Sequence, residues 1–127
     1  MQVLVDTSVW IDYFKSGENS QALDELLEQN SVVTNDVILT ELVPFLKLRK
    51  EHSLVFLLHD LRLLSLKIDW NEIVDWQTKC LMQGLNGLGI PDLLIAQNAY
   101  QNGRAIYSLD KHFRLLNDVV TDLRRFE

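Results

Sequence analysis

Met1-Gln2-Val3-Leu4-Val5-Asp6-Thr7-Ser8-Val9-Trp10-Ile11-Asp12 decides how the rest of the chain is read. Gln2 to Val5 is short, apolar and β-branched, with polar residues on both sides, which is the pattern of a buried strand. Asp6-Thr7-Ser8 supplies N-cap side chains, and Val9, Trp10, Tyr13 and Phe14 follow at helical spacing. Asp6 therefore belongs at the carboxyl end of a central strand, facing into a helix amino terminus. Ligands of open α/β sheets bind outside the carboxyl ends of the strands. Taken alone, Asp6 reads equally well as a plain helix cap.

The alternation continues outward from this unit. A short helix over Ser20 to Gln29 carries Leu23, Leu26 and Leu27 on one face. Ser31-Val32-Val33-Thr34 reads as a second buried strand, after which Asn35 or Asp36 caps a helix bearing Ile38, Glu41 and Leu42. Pro44 falls inside that helix and is expected to kink it, because it lacks an N–H and crowds the preceding turn. Glu51 to Leu61 is apolar around too much of its circumference for a simple surface helix, so it is core or a subunit contact. Leu63 to Leu66 is the third expected strand, and Asp69 or Asn71 opens a long helix ending near Gly84 to Gly89. Ile90-Pro91-Asp92 starts the next helix, with Pro91 suited to its first position, and Asn102-Gly103 stops it. Arg104 to Ser108 is a fourth strand leading to Asp110, Lys111 to Leu116 is a short helix, and Val119-Val120 is an expected edge strand. Strands alternating with helices predict an α/β sandwich with a mainly parallel sheet.

The 127 residues suffice for one domain, 1–127, with a substantial core. No run of about 18 apolar residues suggests a membrane span, and the first residues lack the basic stretch of a signal peptide. Cys80 is the single cysteine. It forms no internal disulfide, reads as a small core residue, and points to a cytoplasmic protein. The net charge of −6 opposes a generally basic nucleic-acid surface. Gathering four of the eighteen acids into one metal site leaves fourteen against twelve Lys and Arg, so the total excludes no RNA substrate.

Four acids stand out by position. Asp6 and Asp110 follow strands, Asp92 opens a helix after Pro91, and Glu41 lies inside a helix beside apolar neighbours. Each also has an ordinary reading: Asp6 and Asp110 as caps, Asp92 as a first-turn acid favoured by the macrodipole, Glu41 as a solvated helix residue.

Together they carry a resemblance. Val5-Asp6-Thr7-Ser8-Val9-Trp10-Ile11-Asp12, Thr40-Glu41-Leu42, Ile90-Pro91-Asp92-Leu93-Leu94-Ile95-Ala96 and Ser108-Leu109-Asp110-Lys111-His112-Phe113 stand in the order, and at spacings compatible with those, of the PIN domain family. Within that family the chain resembles the VapC-type toxins of toxin–antitoxin pairs. The resemblance covers essentially the whole chain. It implies a PIN-like three-layer α/β/α sandwich and a metal-dependent endoribonuclease. Asp6, Glu41, Asp92 and Asp110 would share one acidic pocket for Mg²⁺ or Mn²⁺. Asp6 and Asp92 are the expected direct ligands, Asp110 ligates directly or through water, and Glu41 ligates or orients the attacking water. Mg²⁺ takes oxygen ligands and keeps several waters, and a bound cation activates water and offsets charge on the reacting oxygens. Ser108 matches a position where the family usually has a hydroxyl, to support a carboxylate or a metal water. Thr7 and Ser8 either cap the first helix or support a carboxylate as well.

The chain departs from the family at His112, where many relatives carry a second acid, and at Pro44, three residues after Glu41. His112 reads as a phosphate ligand or as a packing or solvent-facing residue. Basic candidates for the rim of an RNA site are Lys47, Arg49, Lys50, Arg104, Lys111 and Arg114. The resemblance further implies a homodimer and a VapB-type antitoxin laid over the pocket, with the Leu54–Leu61 helix and Phe45, Leu46 and Leu48 as contact surface. Two other readings compete: a response-regulator-like signalling domain, and a catalytically inactive PIN scaffold acting through protein contacts.

Overall fold

A computed structural model of the protein describes residues 1–120 and 122–126. Four short strands, β1 (Val3–Val5), β2 (Val32–Thr34), β3 (Arg62–Leu63) and β4 (Ala105–Tyr107), form one parallel sheet in the order β3-β2-β1-β4. Between and beyond them the described residues form α1 (Thr7–Phe14), α2 (Ser20–Glu28), α3 (Asp36–Leu48), α4 (His52–His59), α5 (Trp70–Met82), α6 (Ile90–Asn102) and α7 (Lys111–Leu116). The residues of β1 are wholly buried, as the uninterrupted apolar run requires of a central parallel strand.

The strand order fixes where a site can lie. The connections from β1 to β2 and from β2 to β3 step one way across the sheet. The connection from β3 to β4 steps back past β2 and β1. Parallel crossovers are right-handed, so α1–α4 cover one face and α5–α6 the other, giving the three-layer α/β/α sandwich. The reversal falls between β1 and β4, and their carboxyl ends form the crevice in which such sheets bind ligands. Asp6 leaves β1 at that point, and its N–H donates to Tyr107 O at 2.8 Å.

Several local readings need correction. The third strand is Arg62–Leu63, two residues long and earlier than Leu63–Leu66; Leu64 N donates to Thr34 O at 2.8 Å, after which the chain leaves the sheet. Val119 and Val120 form no edge strand. They close the turn after α7, where both N–H groups bond Leu116 O and Val120 is buried in the core. The outer edge of β4 is met further along the chain instead. Ile106 N donates to Arg124 O at 2.9 Å and Phe126 N to Ile106 O at 2.8 Å. α3 runs unbroken through Pro44. α4 resolves into both of its readings, with Leu58 in the core and Phe56 75% exposed.

Candidate active site

Each of the four carboxylates is presented by a helix start or helix face of its own. Asp6 is the N-cap of α1 and Asp110 the N-cap of α7, each accepting from the backbone N–H two residues on. Asp92 sits in the first turn of α6, where its Oδ2 accepts from Gly89 N at 2.9 Å. This is the reciprocal half of a capping box, available because Pro91 has no N–H to satisfy. Glu41 lies in the second turn of α3, whose start is fixed by Asn35 Oδ1 accepting from Ile38 N. The cap readings of Asp6 and Asp110 are thus correct, and they are also what aims these carboxylates at the crevice.

The supporting hydroxyls tie the two halves of the site together. Ser8 Oγ and Ser108 Oγ donate to the same oxygen, Asp6 Oδ2, at 2.8 and 2.9 Å. The same hydroxyls accept from Leu109 N and Asp110 N, both at 3.0 Å. The turn after β1 is thereby stitched to the turn after β4. Thr7 Oγ1 donates to Glu41 Oε1 at 2.8 Å and so holds α3 against α1. Thr7 and Ser8 therefore support carboxylates in addition to opening the helix.

A shared design emerges from the oxygen inventory. In each carboxylate one oxygen is claimed by local donors: Asp6 Oδ2, Glu41 Oε1, Asp92 Oδ2 and Asp110 Oδ1. The other oxygen of each accepts no hydrogen bond from the described residues. For Asp6, which is 5% exposed, an oxygen left without a donor is a feature that asks for a ligand.

The groups feel one another electrically. Burial pushes the Glu41 carboxyl above the ordinary range; the Thr7 hydroxyl opposes this, and the charges of Asp6 and Asp92 add to the rise. Burial also raises Asp92; the Gly89 N–H opposes, Asp6 and Asp110 raise it further, and His112 lowers it. Like charges gathered without a counter-ion produce this pattern.

The oxygen-only donor set fits Mg²⁺ or Mn²⁺. Among the described residues no three His, Cys, Asp or Glu groups close tightly enough to cage an ion by themselves. That spacing suits Mg²⁺, which is usually held by one or two carboxylates with waters and substrate phosphates completing the shell. A closed protein cage is not what this chemistry uses.

His112 is the functional candidate whose role the sequence left undecided. Its Nδ1 lies 2.7 Å from Asp110 Oδ1, the oxygen that also accepts from its own N–H. On its far side Gly87 packs against the ring, where a Cβ would collide with Nε2. The ring thus bridges Asp110 to the loop before Asp92. Of the expected basic rim, Lys111 and Arg114 lie beside the site. Arg104 precedes β4 at the amino end of the sheet, where it donates to Gln2 Oε1 and Asn102 O. Arg49 stacks over Phe45 at 4.3 Å beyond the last turn of α3, six to nine residues past Glu41 together with Lys47 and Lys50.

The PIN domain family model matches residues 3–118. The chain belongs to the PIN domain family. Its fold is similar to chains in solved VapBC complexes. One is VapBC2 from Rickettsia felis bound to a promoter DNA fragment, at 18% identity and TM-score 0.76, covering 99% of this chain and 98% of that one. Another is DNA-bound VapBC from Salmonella typhimurium, at 14% identity and TM-score 0.75, covering 99% and 97%. VapBC-1 from nontypeable Haemophilus influenzae matches at 20% identity and TM-score 0.73, covering 100% and 98%. None of the curated proteins searched matches this chain. Among the described residues no helix of this PIN domain is long and apolar enough to cross a membrane.

Proposed function

We propose that this PIN domain is a metal-dependent endoribonuclease, the toxin of a toxin–antitoxin pair, with Asp6, Glu41, Asp92 and Asp110 as its catalytic quartet. The observation that carries the reading is the shared oxygen inventory: four carboxylates from four segments, each with one oxygen anchored and one left open. Asp6 and Asp92 would hold the ion directly, and Asp110 directly or through water. Bound Mg²⁺ or Mn²⁺ supplies an activated water and neutralises charge at the phosphodiester. The chain's own residues do the placing. Ser8 and Ser108 lock Asp6, the Gly89 N–H orients Asp92, and His112 holds Asp110. Thr7 leaves Glu41 Oε2 to orient the attacking water, and the raised pKa of Glu41 brings it closer to that of a useful base.

The VapBC complexes among the structural neighbours support a VapB-type antitoxin as partner. We assign the exposed apolar residues of α3 and α4, with Leu48 86% and Phe56 75% exposed, to protein contacts, either antitoxin or a second copy in a homodimer. The lone cysteine suits a reducing cytoplasmic compartment. A response-regulator-like module has no use for acids on α3 and α6, which disfavours the signalling alternative.

Cleavage of a mixed cellular RNA pool, with Mn²⁺ or with chelator, tests the proposal on wild type and Asp92→Asn. Discrete metal-dependent products from wild type that vanish in the variant are expected. Silence from a folded, antitoxin-free wild type would favour the inactive scaffold.

A further inference from the structure

Beside the quartet lies a cavity of about 690 Å³, within the usual range for small-ligand sites. Its wall nearest the site is the turn Ser108-Leu109-Asp110, so it opens directly off the proposed reaction centre. The lining changes character along its length. Lys111 and Arg114, three apart on α7, bring two cations, and both side chains are exposed and form no hydrogen bond or ion pair among the described residues. Opposite them, Tyr107 and Phe126 form a tilted aromatic pair with centroids 4.9 Å apart, and Leu109 stands 41% exposed at the rim.

This combination differs from the acidic pocket in sign and in chemistry. Four carboxylates recruit a cation and cannot hold RNA phosphates unaided. Unpaired cations next to an apolar and aromatic wall suit a ligand that is anionic at one end and flat and apolar at the other. An RNA strand whose scissile phosphate lies at Asp110 must carry its neighbouring nucleotide away past α7. With Arg104, Arg49, Lys47 and Lys50 placed elsewhere, Lys111 and Arg114 are the cations best sited to receive it. We infer that the cavity between β4 and α7 is a nucleotide subsite, taking the residue next to the scissile phosphate, with its base against the Leu109–Tyr107–Phe126 wall and a phosphate at Lys111 and Arg114. The inference rests on the ribonuclease reading for its substrate class, but the binding itself needs neither metal nor cleavage. Single-stranded nucleic acid is commonly gripped in this way, by stacking surfaces beside a positive groove.

The test is done in chelator, so that no RNA is cut. Adenosine and uridine 5′-monophosphates are titrated into ¹⁵N-labelled protein, with inorganic phosphate as a separate arm. Saturable shifts at the amides of Leu109, Lys111 and Arg114 are expected with the nucleotides, and weaker ones with phosphate. Both Lys111→Glu/Arg114→Glu and Leu109→Glu should remove the nucleotide response while retaining the wild-type spectrum elsewhere. For a single-stranded oligoribonucleotide, the double reversal should lower the slope of log affinity against log salt by about 1.4, at ~0.7 per lost phosphate contact. Identical responses to nucleotide and phosphate would reduce the cavity to an anion patch and overturn the inference. Unchanged binding in the variants would do the same. An RNA pool cut normally by wild type alongside either of those results would sink the subsite and leave the nuclease standing. Absence of cleavage with intact nucleotide binding would do the reverse.

Discussion

Ser108 Oγ donates to Asp6 Oδ2 across 2.9 Å and 102 residues of sequence. Ser8 Oγ holds the same oxygen from within α1's first turn, and each serine passes the connection on to a backbone N–H of the turn that carries Asp110. The two serines make the geometry of Asp6 and that of Asp110 one quantity. Removing Ser108 leaves Asp110 N without an acceptor and a nearly buried carboxylate with one hydroxyl donor fewer. Ser108→Ala is expected to cost about 1–3 kcal/mol in urea unfolding. Adding Ser8→Ala should give a non-additive total, because both act on one oxygen. Strict additivity would mean the two hydroxyls work separately.

Thr7→Val keeps the shape of the side chain and removes the donor that holds Glu41 Oε1. The Thr7 hydrogen bond opposes the rise in the Glu41 pKa, so its loss lets burial and the charges of Asp6 and Asp92 raise the carboxyl further. The acid limb of the pH–rate profile for RNA cleavage should move to higher pH in the variant. An unshifted limb with lower activity throughout would make Thr7 a positioner alone.

Metal-free stability should fall as pH rises. Glu41 and Asp92 have folded-state pKa values above their unfolded ones, so the folded protein binds more protons over that interval. Their contribution is fully present below the unfolded carboxylate values of ~4 and is lost as pH passes through the raised folded values. Thermal melts in chelator across this range check the sign, and Mn²⁺ at the upper end should restore the loss. Stability that climbs through the same window would contradict the crowding of charge.

Gly87→Ala places a methyl where the His112 ring now sits, and the ring is the part free to swing away. The variant should release Asp110 Oδ1 from His112 Nδ1 and lower cleavage about as much as His112→Ala does. Combining the two should add little, since each removes the same contact. A further large loss in the double variant would show that Gly87 matters for the loop itself and not for the ring.

Much of this was legible because the local signals agree with the fold. An apolar run ending in Asp-Thr-Ser dictates a buried strand, a cap and a helix, and β1, Asp6 and α1 follow. Pro91 and Gly103 bracket α6 in the same way. The misread segments are those where sequence preference and tertiary need diverge. Val119-Val120 looks like a strand, yet the pair serves the core as an apolar turn, whereas the Arg124–Phe126 segment meets β4 despite its charge. The edge strand β3 is only two residues long, too short for any periodicity to show. The four acids were visible, but not the rule of one anchored and one open oxygen. That rule depends on donors up to 102 residues away and on a His112 ring whose direction is set by Gly87.

The central claim is that Asp6, Glu41, Asp92 and Asp110 form one metal site. Mn²⁺ binding, followed by loss of the free-ion electron paramagnetic resonance signal, tests it most directly. The comparison sets wild type against Asp6→Asn, Glu41→Gln, Asp92→Asn and Asp110→Asn, with Glu72→Gln on α5 as a control. The account predicts that wild type and the control bind, that Asp6→Asn and Asp92→Asn bind at least tenfold more weakly, and that the other two fall between. Equal binding by wild type and all four quartet variants would place the ion, and the chemistry, elsewhere.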